Sequence, residues 1–80
     1  AAADDDDSVE RARQRLLRGK LLQQLDRLPD AAHEFVQAER YFADNLPEDS
    51  DRNAAIEALV AVYERSGESD KAAQWRRRIQ

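Results

Sequence analysis

The chain has 80 residues, which is enough for one small domain, and 13 Lys and Arg against 17 Asp and Glu give it a net charge of −4. It has no Cys, which excludes disulfides, Cys-ligated zinc and thiol catalysis, and its two Gly and two Pro disfavour an all-β fold. No apolar run approaches the roughly 18 residues of a membrane-spanning helix, so we expect no membrane partner.

Residues 1–7 read as an acidic leader. Four adjacent aspartates repel one another and have no large apolar neighbour to bury, so we expect the leader to be disordered. A calcium loop is the alternative, but the spaced carboxylates and the turn-making Gly of such loops are missing. The segment does not resemble a signal peptide. Because the chain does not begin with Met, we expect a fragment or a processed chain.

Two helices are predicted in the first half of the remaining chain, residues 8–80. The first spans about residues 9–25 with Ser8 as its N-cap, and the second begins at residue 29 or 30 and ends at 45, before Pro47. Their apolar residues recur at helical spacing. They are Val9, Ala12, Leu16, Leu17, Leu21, Leu22 and Leu25 in the first helix, and Ala31, Ala32, Phe35, Val36, Ala38, Phe42 and Leu46 in the second.

Two further helices are predicted after an acidic link. The third spans about residues 51–65, with Asp49, Ser50 or Asp51 as its cap, and Gly67 ends it in the left-handed conformation. Ser69 is expected to cap the fourth. The predicted buried residues are Ala55, Ile56, Ala58, Leu59, Val62 and Tyr63 in the third helix, and Ala72, Ala73, Trp75 and Ile79 in the fourth.

The two halves form an internal repeat with an offset of 41 residues. Small residues in the first helix of each copy and Ala in the second would let two antiparallel helices approach closely. The matching positions are Gly19 with Val60, Leu22 with Tyr63, Asp26 with Gly67, Ala31 with Ala72 and Ala38 with Ile79.

This pattern resembles the tetratricopeptide repeat, whose signature runs Leu-Gly-x-x-Tyr, Ala-x-x-x-Phe and Pro. The first copy, about residues 9–46, matches at Gly19, Leu22, Ala31, Phe35 and Ala38. The second, about residues 49–80, matches at Leu59, Tyr63, Gly67 and Ala72. The resemblance implies an all-α fold in which two antiparallel helix-turn-helix repeats form a short right-handed α-solenoid.

The link and the second copy resemble particular members of that family. The acidic, Pro-containing residues 47–51 look like the kinesin-light-chain subtype, and residues 59–76 are similar to repeats appended to some bacterial Ser/Thr protein kinases. Two positions depart from the pattern, since Arg18 and Arg76 stand where large apolar residues are expected. We interpret Trp75 as the displaced packing residue, in a partly polar terminal repeat.

No catalytic or metal site is indicated. His33 is the only histidine and is expected near the surface, and the serines lie at predicted helix ends, where capping explains them. Carboxylate pairs such as Asp30 and Glu34 are expected on a solvated helix face. We therefore expect no enzyme activity and no cofactor.

A basic cluster in the first helix raises the question of nucleic-acid binding. Arg side chains suit phosphate contacts, but the cluster points around most of the helix, and the chain as a whole is acidic. We therefore expect no nucleic-acid partner. The cluster comprises Arg11, Arg13, Arg15, Arg18 and Lys20.

The resemblance implies protein recognition on the inner face, which the first helix of each repeat lines. One half of this face would be basic and the other acidic to neutral, so a peptide would meet a dipolar, shallow groove. Glu39 is expected on the opposite, outer face. The candidate protein-binding residues are Arg13, Leu16, Lys20, Gln23, Gln24, Glu57, Ala61 and Glu64.

The main hypothesis is a non-enzymatic module of a cytoplasmic, bacterial protein that binds a protein or peptide. The alternative is a structural end-piece or self-association element of a larger enzyme, such as a bacterial Ser/Thr protein kinase. About three repeats are usually needed for independent stability, so we expect either a homodimer or a marginal monomer. The apolar surface left open is expected around Val9, Leu17 and Leu21.

Overall fold

A computed structural model describes residues 9–79 of the chain. This part folds into four helices and contains no strand, which confirms the predicted all-α class for the described residues. The acidic leader and the predicted Ser8 cap lie outside them. The helices are α1 (Val9–Gln24), α2 (Leu28–Asn45), α3 (Ser50–Arg65) and α4 (Ser69–Arg76).

The first three helices begin and end within two residues of the predicted bounds. Pro29 lies in the first turn of α2, where its missing N–H costs no helical hydrogen bond. Asp49 caps α3, because its carboxylate accepts a hydrogen bond from the Asp51 N–H at 2.8 Å. Leu46, predicted on the buried side of the second helix, lies beyond the end of α2 and is exposed.

The fourth helix differs more from the prediction. It ends at Arg76, so Ile79 lies outside the helix and is exposed instead of buried. Ser69 is its first residue, and Glu68 occupies the cap position without a side-chain hydrogen bond. Ala72 is the one fully buried residue of α4, so little apolar surface is available to hold a further turn against α3.

The turns after α1 and α3 share one backbone conformation. Asp26 and Gly67, which are 41 residues apart, have positive φ angles of 61° and 81°. Each turn has the pair of hydrogen bonds that defines a Schellman motif. In the turn after α1, the Arg27 N–H donates to the Leu22 carbonyl at 2.8 Å and the Asp26 N–H to the Gln23 carbonyl at 3.0 Å. In the turn after α3, the Glu68 N–H donates to the Tyr63 carbonyl at 2.8 Å and the Gly67 N–H to the Glu64 carbonyl at 3.2 Å.

Each helix packs against the next one along the chain, and α1 also touches α3. Gly19 on α1 contacts Phe35 on α2, and both residues are eight positions from Arg27 in the turn, so α1 and α2 run in opposite directions. Ion pairs join α1 to α3 near the starts of both helices and again near their ends, so these two helices run in the same direction.

The core consists of two clusters of apolar side chains. The larger lies among α1, α2 and α3, and Phe35 and Phe42 are fully buried in it. The smaller lies between α3 and α4 and contains Ile56, Val60 and Ala72. Trp75 is half-buried and packs against both clusters, in agreement with its interpretation as a packing residue.

Candidate interaction surfaces

A groove runs between α1 and α3 at the end where both helices begin. Because α1 and α3 both pack against α2 and touch each other only lightly, a channel is left between them. The wall from α1 is basic and apolar, and the wall from the start of α3 and its N-cap residue is acidic. The lining residues are Arg13, Leu16, Leu17, Lys20, Asp49, Ser50 and Asp51.

An ion pair closes the groove at the starts of the two helices. The Arg13 Nε donates to the Asp51 Oδ2 at 2.8 Å, and this hydrogen bond, with the attraction of the Asp51 charge, raises the pKa of the Arg13 guanidinium. Asp51 is itself in the first turn of α3, where the helix dipole favours a negative charge.

A second set of contacts joins the ends of the same two helices. Arg65 lies in the last turn of α3, and its Nη2 is 3.2 Å from the Asp26 carboxylate. Its Nη1 donates to the Gln23 carbonyl oxygen at 3.5 Å. The side chains of Arg65 and Asp26 are both well exposed, so their ion pair adds little stability. These contacts and the Arg13–Asp51 pair link α1 to α3 near both ends.

The structure brings together three of the predicted binding residues of α1. Arg13, Leu16 and Lys20 line the groove, although Leu16 is nearly buried and offers only an edge to it. Gln23 contributes its carbonyl to Arg65, and Gln24 is exposed at the end of α1.

The predicted binding residues of α3 lie beyond this end of the groove. Glu57, Ala61 and Glu64 are exposed and share one stripe of the helix, since they are three and four positions apart. Glu64 is engaged by Arg76 of α4.

Sequence reasoning missed part of the groove. The sequence predicts Leu17 on the apolar surface left open, and it predicts residues 49–51 only as a link with a helix cap. The structure shows that these residues line the same channel as Lys20. The acidic character of residues 49–51 is visible in the sequence. Their closeness to α1 is not, because it depends on how α3 packs beside α1.

Glu39, which is expected on the outer face, is buried in the fold. Only 4% of its surface is exposed. Its carboxylate accepts a hydrogen bond from the Arg52 Nε at 3.5 Å and lies 4.0 Å from the Arg78 Nη1. The charge is tolerated inside the fold because two guanidinium groups surround it.

Glu34 was likewise expected on a solvated face, and it is largely buried. The Arg15 Nη1 donates to the Glu34 carboxylate at 3.4 Å, and the Arg18 Nη1 lies 3.9 Å from the same oxygen. Arg18, which stands where a large apolar residue is expected, is mostly exposed and gives Glu34 this second, more distant partner. His33 is exposed, as predicted.

Residues 9–79 contain no group of three or more His, Cys, Asp or Glu side chains placed to hold a metal ion. Within the same residues, no helix has the length and apolar character needed to cross a bilayer. Comparison with known proteins found no match to a family model, a curated protein or a solved structure.

Proposed function

We propose that the chain is a non-enzymatic protein-interaction module built from two tetratricopeptide-like repeats that form a short right-handed α-solenoid. The observation that carries the proposal is the recurrence, after 41 residues, of the positive φ angle and the Schellman hydrogen bonds at the turn of each repeat. We place the module in the cytoplasm, with a protein or peptide as its ligand and no cofactor, nucleic acid or membrane.

The proposed ligand is a peptide that lies along α1 and α3. Lys20 makes the α1 wall basic, and Glu57 makes the exposed stripe of α3 acidic. Arg13 and Glu64 lie beside them and are paired with Asp51 and Arg76. A peptide with an acidic residue toward α1 and a basic residue toward α3 would match Lys20 and Glu57. Charges on such a surface chiefly set the rate of encounter and the specificity, and less so the affinity.

A peptide-display selection tests this proposal. Peptides selected on the wild-type chain should bind the Lys20→Glu/Glu57→Lys double variant at least tenfold more weakly, and selection on that variant should return peptides of reversed charge. Arg40→Glu is the control, because Arg40 is exposed on α2 and is not among the residues that line the groove. Circular dichroism should give the same helicity for all variants.

Two results would contradict the proposal. Unchanged affinity in the double variant would show that the α1–α3 surface does not hold the peptide. A larger loss in Arg40→Glu than in the double variant would place the binding surface on α2.

The alternative function is a structural end-piece or self-association element of a larger enzyme, such as a bacterial Ser/Thr protein kinase. Exposed leucines on α1 favour it, since a neighbouring copy could cover them. Light scattering over a hundredfold range of concentration distinguishes the two functions. If the fraction of dimer grows with protein concentration and the dimer does not bind the selected peptides, the result would support self-association.

A further inference from the structure

A cleft separates the second half of α2 from the end of α4. Both helices pack against α3, and the cleft between them measures about 560 Å³, a size typical of sites that hold small ligands. Val36, Arg40 and Ala43 are three or four positions apart and line it from one side of α2. Arg77 and Arg78 line it from the residues directly after α4.

The lining of this cleft is basic although the chain as a whole is acidic. Four arginines against two carboxylates leave a surplus of two positive charges, whereas the whole chain carries −4. A concave surface with charges of one sign attracts ligands of the opposite sign. The charged residues of the lining are Arg40, Arg52, Arg77, Arg78, Glu39 and Asp44.

Two of the four arginines already have a partner inside the fold. Arg52 and Arg78 share the buried Glu39 carboxylate, at 3.5 Å and 4.0 Å, and this group of three keeps one positive charge. Arg40 and Arg77 are exposed, and within residues 9–79 their side chains form no hydrogen bond or ion pair. Together with the exposed Asp44, they supply the second positive charge of the cleft.

Trp75 holds one of these arginines in place. The Arg78 Cζ lies 4.5 Å from the centre of the Trp75 ring, which is a cation–π contact. The 4.0 Å contact between Arg78 and Glu39 is longer than a hydrogen bond, so it does not use the N–H donors of the guanidinium. Val36, Ala43 and the Trp75 ring add apolar surface beside the charges.

The charge of the cleft favours a dianion over a carboxylate. The planar guanidinium fork matches the oxygens of both groups and often binds them with two hydrogen bonds. A carboxylate carries a single charge and would offset half of the surplus. A phosphate monoester carries close to two negative charges at neutral pH, and its three oxygens allow more than one guanidinium to bind.

We propose that the cleft between α2 and α4 binds a phosphate monoester through Arg40, Arg77 and Arg78, with the apolar part of the ligand against Trp75. This goes beyond the proposed peptide groove, because none of the described residues lines both the groove and the cleft. A free small molecule and a phosphorylated side chain both carry this group, and the experiment distinguishes the two sources.

The probe is phenyl phosphate, titrated onto the full chain at constant ionic strength. Trp75 is the only Trp of the chain and lines the cleft, so its fluorescence reports binding, and calorimetry checks the affinity independently. We expect saturable binding by both measurements. Benzoate, which has one charge on a similar ring, should bind at least tenfold more weakly.

Charge-neutral variants test the two arginines without a partner. Arg40→Gln and Arg77→Gln should each weaken phenyl phosphate binding about tenfold, which corresponds to the loss of one charge-assisted hydrogen bond. Arg27→Gln is the matched control and should keep the wild-type affinity. Arg27 is an exposed arginine in the turn after α1, and its side chain also has no partner among the described residues. Circular dichroism should give the same helicity for all three variants.

A peptide arm of the experiment identifies the source of the phosphate. An end-capped alanine peptide with a central phosphotyrosine carries the same phenyl phosphate group. Binding at least tenfold tighter than that of phenyl phosphate would assign the cleft to a phosphorylated protein segment. Equal or weaker binding of the peptide would assign it to a free phosphorylated small molecule.

Absence of saturable binding, or equal affinity for phenyl phosphate and benzoate, would overturn the proposal. So would an affinity that Arg40→Gln and Arg77→Gln leave unchanged, because another part of the chain would then hold the phosphate. An equal loss in Arg27→Gln would show that net charge alone is responsible. The peptides selected for the α1–α3 groove carry no phosphate and test different residues, so the two proposals fail separately.

Discussion

The Phe35 ring on α2 lies directly over Gly19 on α1. A Cβ added to Gly19 would be 2.6 Å from the Phe35 Cε1 and 2.8 Å from its Cδ1, well inside van der Waals contact. Phe35 is fully buried, and side chains in a close-packed interior can shift only at a cost. The missing side chain of Gly19 therefore sets how closely α1 and α2 approach.

Replacement of Gly19 should destabilise the fold. Gly19→Leu should lower the free energy of unfolding by about 1–3 kcal/mol, because overpacking forces shifts of the backbone. Gly19→Ala should also be unfavourable, although Ala favours a helix over Gly by about 1 kcal/mol. Urea unfolding followed by circular dichroism measures both. In the Gly19→Ala/Phe35→Leu variant, the loss of unfolding free energy should be smaller than the sum of the losses in the two single variants. If Gly19→Leu is as stable as the wild type, the close contact between Gly19 and Phe35 is contradicted.

Gly67 should tolerate substitution poorly for a different reason. Its φ of 81° is in the left-handed region, and nothing lies within 4 Å of an added Cβ, so any cost comes from the backbone alone. Gly67→Ala should lower the unfolding free energy by about 1–2 kcal/mol. Gly67→Asn should lose less, because Asn enters this region more readily. Equal losses in the two variants would contradict a backbone origin.

The buried Glu39 carboxylate makes Arg52 important for stability. Arg52→Met leaves the carboxylate with only the more distant Arg78 and should destabilise the fold by about 3 kcal/mol. The Glu39→Met/Arg52→Met variant should recover most of this loss, because it removes the buried charge together with its partner. Thermal and urea unfolding measure both. A double variant less stable than Arg52→Met would show that the carboxylate has another role.

Glu68 and Lys71 form a pH-dependent contact at the start of α4. Hydrogen bonds from Lys71, and secondly from Ser66, lower the pKa of the Glu68 carboxyl, and Glu68 raises the pKa of Lys71. The Glu68 contribution to stability is therefore present above its unfolded-state pKa and is lost as pH falls through the lower folded-state pKa. The Lys71 contribution is present below its unfolded-state pKa and is lost as pH rises through the raised folded-state value.

Carbon NMR titration of the Glu68 carboxyl tests this contact. The pKa of Glu68 should rise in Lys71→Gln, and it should rise by less in Ser66→Ala, because the Lys71 contact is the larger cause. The dependence of stability on acidic pH should weaken in Lys71→Gln. An unchanged Glu68 pKa in Lys71→Gln would mean that the ion pair, 3.1 Å long here, does not persist in solution.

The sequence predicted the helices well because their signals are local. Pro29, Pro47 and Gly67 act through their own backbone dihedral angles, and apolar spacing identifies one side of each helix without knowledge of the partner. The 41-residue offset predicted that Asp26 and Gly67 occupy equivalent positions, and their positive φ angles agree. α4 was the exception, since a short helix with one fully buried residue has a weak local signal.

The sequence by itself therefore determined the all-α class of the described residues, the turns and the repeat. Only the tertiary structure decided which charges are buried, since Glu39 becomes internal through Arg52, 13 residues away, and Arg78, 39 residues away. It also decided that Leu17 and Leu21 stay exposed while, at the equivalent positions, Val62 is fully buried and Ala58 packs against the core. The physical reason is that burial depends on which helix packs beside a residue, and helical periodicity does not specify that neighbour.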